Sequence, residues 1–200
     1  MSANISSTTL HTERLVLRPA EPDDAPLVWR YVVDNREHLG PWEPARGDAY
    51  FTQRYWESTL AIHAQRERQG HRAAWLIFDR RLPGSVAGRC ALDPISRGPF
   101  QSATLGCSLA ANVVGKGLMH EALTALIGAA FGALDLRRIE ANVRPENERS
   151  LRMLDRLGFV REGFSEQFLE IGGEWCDHVR TALVRDSATL QPSSDARTGR

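Results

Sequence analysis

The sequence predicts a single α/β domain in which a mixed, mostly antiparallel sheet is flanked by helices, and three observations carry that reading. A chain of 200 residues is the size of one domain and can bury a core without disulfides or a structural metal. Residues 73–79 (AAWLIFD), 85–92 and 103–109 are strand-like runs separated only by Pro/Gly-rich joins, which makes them a hairpin meander. Around this meander, strand-period and helix-period segments alternate in the order βααβββαβαββ.

In chain order, a short strand at residues 15–17 leads into a helix that Asp23 or Asp24 caps and that carries Leu27, Val28, Tyr31 and Val32 on one side. After the loop LGPWEPARGD, residues 49–69 set Phe51, Tyr55, Trp56, Leu60 and Ile62 along a helical stripe that Gly70 ends. The joins 80–84 (RRLPG) and 93–99 (DPISRGP) read as turns. Past the meander come a helix at 117–131, a strand at 138–143, a helix at 148–157 and a terminal hairpin turning at Gly172 and Gly173. The folded domain is expected to span residues 10–185. Residues 1–9, rich in Ser and Thr, and the polar residues 186–200 are expected to be flexible ends.

Composition sets aside several function classes. With 42% hydrophobic and 25% charged residues the chain is ordinary for a globular protein, and no run approaches the ~20 apolar residues of a membrane span. The opening MSANISSTTLHTER has no basic start followed by an apolar stretch, so a cytoplasmic protein with no membrane association is expected. Twenty-five basic residues balance twenty-five acidic ones, which argues against DNA as a partner. Cys90, Cys107 and Cys176 form no C-x-x-C, and the histidines form no H-E-x-x-H, so no metal is expected. The serine-hydrolase G-x-S-x-G and the P-loop pattern are both missing.

The informative stretch is LGCSLAANVVGKGLMHEAL, residues 105–123. A strand ends near Leu109, Gly115-Lys116-Gly117 forms a short loop, and a helix of strong formers begins at once. Such a loop suits an anion: glycines let the backbone come close, and first-turn N–H groups and the helix dipole favour negative charge. Lys116, the chain's single lysine, adds a full charge. Downstream, Asn147 and Ser150 open the next helix, where both can serve as ordinary capping residues. Trp42 and Glu43 lie between Pro41 and Pro44, where the ring either packs on the sheet or walls a ligand pocket. The basic run Arg137, Arg138, Arg144, Arg149, Arg152, Arg156 and Arg161 reads first as a solvated face.

Residues 114–119 (VGKGLM) resemble the pyrophosphate loop of the GCN5-related N-acetyltransferases (GNAT), whose pattern is Gln or Arg, two residues, Gly, any residue, then Gly or Ala. Asn147-Glu148-Arg149-Ser150 with Leu157-Gly158-Phe159 resembles that family's second signature, in the correct order. Asn35-Arg36, the segment LGPWEP at 39–44, Glu162-Gly163-Phe164 and the segment WCDHV at 175–179 are similar to the RimJ/RimL ribosomal-protein-alanine N-acetyltransferases, RimJ above all. The resemblance covers residues 10–185 and implies a GNAT fold with acetyl-CoA as cosubstrate. Coenzyme contacts are then expected from Leu109, Val114, Gly115, Lys116, Gly117, Leu118, Met119 and Asn147. The arginine run is a second candidate for the coenzyme's 3′-phosphate or for a ribosomal partner.

The departures shape the expected chemistry. Val114 is read at the pattern's leading Gln or Arg and Met119 at its last Gly or Ala, changes that leave backbone donation intact. Where many relatives carry a tyrosine that protonates the thiolate, this chain has Leu154, so Ser150 becomes the candidate. Where some relatives carry a glutamate base, it has Asn142. An α-amine, with pKa ~8, is far more often neutral near pH 7.4 than a lysine amine with pKa ~10.4, so a site without a carboxylate base favours a protein N-terminus. An ordered water on Asn142 would carry its proton away. Trp42 is expected to restrict the first side chain and Glu43 to attract the ammonium. The RimJ resemblance implies the N-terminal alanine of a small-subunit ribosomal protein. Two other readings stand beside this one: transfer to a small-molecule amine, and a non-catalytic acyl-CoA sensor.

Overall fold

A computed structural model describes residues 8–185. The segments expected to be flexible thus lie largely outside the described residues, which begin at Thr8, whose carbonyl accepts from the Trp75 indole at 2.9 Å. The elements are β1 (Leu10–His11), β2 (Leu15–Arg18), α1 (Ala25–Asp34), α2 (Arg36–Leu39), α3 (Gln53–Arg68), β3 (Ala73–Asp79), β4 (Gly88–Ser96), β5 (Ser102–Leu109), α4 (Leu118–Phe131), β6 (Arg138–Val143), α5 (Glu148–Arg156), β7 (Val160–Ile171) and β8 (Glu174–Val184). They form a mixed α/β domain whose eight-stranded sheet has the order β1-β2-β3-β4-β5-β6-β8-β7. Every neighbouring pair is antiparallel except β5 and β6.

The core sits around β3, which is buried at nearly every position, with Trp75 and Ile77 fully enclosed. A strand buried on both faces requires cover on both sides of the sheet. Much of that cover is supplied by Val28, Tyr31 and Val32 of α1, Trp56 and Leu60 of α3, and Leu118, Ala122, Leu123 and Leu126 of α4. By the usual area relation each large side chain so buried contributes about 1.5–3 kcal/mol.

Three boundaries differ from the sequence reading. The helix expected at 49–69 begins at Gln53, because Thr52 is extended (φ −110°, ψ 145°) and its side chain caps the helix by accepting from the Tyr55 N–H at 3.3 Å. A 3₁₀ turn, Asp48–Phe51, precedes it. β4 runs on to Ser96 through Asp93 and Pro94, which the sequence suggested as a turn. A register shift between Leu92 and Ile95 takes the proline, which lacks an N–H, out of the ladder. The first strand is a small pair, with Leu10 opposite Leu17 and His11 opposite Val16.

The feature that makes a site is a split in the sheet. β5 and β6 pair only at Ser102↔Arg138, Ala103↔Ile139 and Thr104↔Glu140. Beyond Thr104, β5 stays with β4 as far as Leu109↔Gly88, while β6 stays with β8 as far as Val143↔Val179. Parallel strands that part in this way leave backbone and side chains of both free to face a ligand.

Candidate active site

On one side of the split the chain leaves β5, makes a 3₁₀ turn at Ala111–Val113 and enters α4 through Gly115 and Gly117, at φ 84° and 76°. Both angles lie in the left-handed region, open to glycine without steric cost. The N–H groups of Gly115, Lys116 and Gly117 donate to nothing among the described residues, whereas that of Val114 reaches the Ala111 carbonyl at 3.4 Å. Arg14 fixes the loop from outside. Its Nε donates to Glu121 Oε2 at 2.6 Å and its Nη1 to the Lys116 carbonyl at 2.9 Å.

These glycines open onto a cavity of about 620 Å³ that Leu109, Val114, Leu118, Met119, Asn147 and Ser150 also line. Arg149, Arg152 and Arg156 of α5 face it too. Free N–H groups at a helix start and basic side chains around a cavity of this size together fit a pyrophosphate-bearing coenzyme. One expectation for the loop changes. Lys116 does not line the cavity, because its Nζ turns back to donate to the Asn112 carbonyl at 3.0 Å. Val114 and Met119, at the two ends of the expected pattern, both line the cavity.

A second cavity, of about 500 Å³, lies against the first, and Trp42, Glu43, Cys107, Ser108, Asn147, Ser150 and Met153 line both. Asn147 is the N-cap of α5, its Oδ1 accepting from the Ser150 N–H at 3.1 Å. The Ser150 hydroxyl makes no hydrogen bond among the described residues and stands where the cavities meet. Asn142 also lines the second cavity, and its Oδ1 is buried without a hydrogen-bond partner. Leu154 is buried beneath them.

Glu43 is not a free carboxylate. Arg89, in the middle of β4, donates to it at 2.7 Å, to Tyr50 Oη at 3.0 Å and to Ser108 Oγ at 3.3 Å. Burial works against the Arg89 cation, but Glu43 and the Tyr50 and Tyr31 hydroxyls outweigh it and raise its pKa. Tyr31, pushed up to about 12 by burial, donates to Ser108 Oγ at 2.9 Å. Trp42 is 41% exposed at the mouth. Arg144 closes that side by donating to the Pro41 carbonyl at 3.0 Å, its guanidinium 5.9 Å from the Trp42 ring centre.

The split thus brings Trp42, Glu43, Asn142, Asn147 and Ser150 to one place. Sequence reasoning missed Arg89 and His178, which line the same cavity. An arginine inside an apolar meander strand was the available signal for the first. The arginine run divides: Arg138 pairs with Glu140 and Glu162, and Arg161 with Asp155, whereas Arg149, Arg152 and Arg156 face the coenzyme-side cavity, Arg152 while paired with Glu148.

A split between parallel strands, with an anion-binding loop on one side and a second cavity on the other, defines an acyl-coenzyme A transferase fold, and residues 14–160 match the acetyltransferase (GNAT) domain family. The chain belongs to that family and is an acetyl-CoA-dependent N-acetyltransferase. It is 37% identical over 182 residues to the ribosomal protein uS5-alanine N-acetyltransferase of Escherichia coli (strain K12), covering 91% of this chain and 93% of that one. Among solved structures, the ribosomal-protein-S5-alanine acetyltransferase from Vibrio fischeri matches with TM-score 0.86 and 33% identity over 90% of this chain and 98% of the other. Mycobacterium smegmatis RimJ in complex with CoA-disulfide matches with TM-score 0.83 and 30% identity over 93% and 90%. The resemblance to the RimJ/RimL branch read from the motifs is borne out. No helix among the described residues is long and apolar enough to cross a membrane, and no group of three or more His, Cys, Asp or Glu among them could hold a metal.

Proposed function

We propose that this enzyme acetylates the N-terminal α-amine of a protein, an alanine-initiated ribosomal protein of the uS5 type, in the cytoplasm. The observation that carries the reading is the second cavity: it meets the coenzyme-side cavity at Ser150, and its carboxylates, Glu43 and Glu67, are already paired with Arg89 and Arg72. A lysine amine, ~0.1% neutral near pH 7.4, would need a free carboxylate to deprotonate it, whereas an α-amine is about a fifth neutral already. The names of the E. coli and V. fischeri relatives support the same acceptor.

Acetyl-CoA supplies the thioester carbonyl that the amine attacks. The chain's own groups then have separate tasks. The free N–H groups of Gly115 to Gly117 and the α5 arginines hold phosphates. Asn142 Oδ1 accepts from the amine or from a water beside it, and Trp42 limits the first side chain to a small one. Ser150 Oγ donates to the developing thiolate, which a preorganised hydroxyl stabilises without reorganisation.

A peptide panel tests the acceptor: Ala- and Ser-initiated peptides, N-terminally blocked peptides with an internal lysine, and small polyamines. Free Ala-initiated peptides are expected to be preferred. Equal rates on blocked lysine peptides, or a preference for polyamines, would return the cavity to the small-amine reading. Ser150→Ala is expected to lower kcat by about 10²–10³ with coenzyme affinity little changed. A fall below about threefold would leave Ser150 a capping residue.

A further inference from the structure

We propose that His178 is the base that takes the proton from the attacking amine. Its place follows from strand register. Asn142 of β6 pairs with Arg180 of β8, so His178, two residues earlier, projects from the same face of the sheet as Asn142 and is its diagonal neighbour, about 7–8 Å away by standard sheet geometry. Both side chains line the second cavity.

The tautomer follows from one hydrogen bond. His178 is 3% exposed, and its Nδ1 lies 3.0 Å from the carbonyl oxygen of Cys176. A carbonyl only accepts, so Nδ1 carries the hydrogen, and the neutral tautomer with that bond has its lone pair on Nε2. Nε2 has no partner among the described residues. The Phe168 ring packs against the imidazole at 5.3 Å between centroids and holds its plane.

The ring's surroundings leave this lone pair without a charge partner. From β7 the residues against it are Phe168 and its register partner Ser165. On β8, Asp177 Oδ1 is occupied by the Gln167 N–H and Arg180 is exposed. β6 offers Asn142 and, past its end, Arg144, which is tied to Pro41. Across the split stand Cys107 and Glu43, the latter paired with Arg89. In the reaction the N–C bond forms as the C–S bond breaks. The proton lost by nitrogen goes to Nε2, and the electron pair of the broken bond stays on sulfur, where Ser150 Oγ donates to it. Asn142 positions the amine for that transfer.

This inference rests on the reading of the second cavity as the amine site, and two measurements test it. The pH profile of kcat/KM on an Ala-initiated peptide is expected to show two ionisations on its acid limb in the wild type, the amine's and the imidazole's, and one in His178→Gln, whose kcat/KM falls about 10²-fold. Independently, nitrogen NMR of the wild-type protein without coenzyme is expected to find the neutral tautomer protonated on Nδ1. An Nε2-protonated ring, or a folded His178→Gln that keeps both ionisations and is within about threefold of wild type, overturns the proposal. If the wild type turns over small amines but no α-amine peptide, the proposed acceptor is wrong, and the same two profiles recorded with the small amine still decide the role of His178.

Discussion

Arg89 Nη2 reaches both carboxylate oxygens of Glu43, at 2.7 and 3.0 Å, across 46 residues of chain. The pair joins the middle of β4 to the loop that carries Trp42, so it fixes one wall of the acceptor cavity to the sheet. Because both side chains are largely removed from solvent, deleting one leaves the other's charge uncompensated.

The Glu43–Arg89 pair is therefore expected to be strongly coupled. In a double-mutant cycle of Glu43→Gln and Arg89→Gln, followed by chemical unfolding, the coupling should be about 1–3 kcal/mol. Additive losses would show that the two groups are held by other contacts.

Gly117 is needed for its conformation more than for space. A Cβ there would meet only Arg14 Nη2, at 3.6 Å, an ordinary contact, but φ is +76°. Gly117→Ala should thus cost about 1–2 kcal/mol, through the left-handed backbone alone. If the strain is relieved by the loop leaving its coenzyme-binding shape, calorimetry should find coenzyme affinity reduced by about 5–30-fold. An unchanged affinity in a folded Gly117→Ala protein would mean that these N–H groups do not hold the phosphates.

Two groups that line the second cavity make opposite contributions to the pH dependence of stability. Burial pushes Glu67 up to about 7, with the adjacent Arg72 pulling the other way. Burial, followed by the Arg72 charge, pushes His63 down to about 4. Between about pH 4.5 and 7 the folded state holds the Glu67 proton that the unfolded chain releases, so this contribution is lost as pH rises. Between about pH 4 and 6.5 the unfolded chain takes up the His63 proton that the folded state refuses, so stability is gained as pH rises. In the wild type the two contributions oppose each other over the pH range they share. Relative to the wild type, Glu67→Gln should therefore gain stability from about pH 4.5 to 7, and His63→Gln should lose it from about pH 4 to 6.5. Parallel stability curves for all three proteins would refute this.

What was legible in the sequence was what depends on neighbours in the chain. Asn147 caps α5 through a bond to a residue three positions on, and the glycines at 115 and 117 take their backbone angles locally, so the cap and the loop could be read from spacing alone. β6 was found at its observed bounds because Ile139 and Ala141 alternate with polar residues. The acceptor side was read only in part. Trp42 and Glu43 stood out as a Pro-bracketed pair, but the partner that neutralises Glu43 lies on another strand. The cavity they wall exists only because β5 and β6 diverge, a property of pairing that no local pattern encodes. Likewise Asp93 and Pro94 looked like a turn because proline punctuates most sequences, and only the register shift beside Leu92 lets the strand pass through.

Arg144 ties the end of β6 to the Trp42 loop, and that tie should set acceptor affinity more than coenzyme affinity. Its Nη1 donates to the Pro41 carbonyl at 3.0 Å, and its guanidinium stands 5.9 Å from the Trp42 ring centre, near the outer limit at which a cation and a ring attract. Arg144 lines the acceptor cavity but not the coenzyme-side one. Removing it loosens Trp42 while Arg89 still holds the neighbouring Glu43, and the acceptor must then order the indole on binding, at a cost of about 1–2 kcal/mol. Arg144→Ala should raise the KM for an Ala-initiated peptide by about 5–30-fold, with a much smaller change in coenzyme dissociation constant, since the glycine loop and its N–H groups are untouched. Arg144→Lys keeps the charge but loses the planar group that stacks on the indole, so its KM should fall between those of the wild type and the alanine variant. An unchanged peptide KM in Arg144→Ala, or a coenzyme affinity that falls as far as the peptide's, would show that the loop is held in place by other contacts.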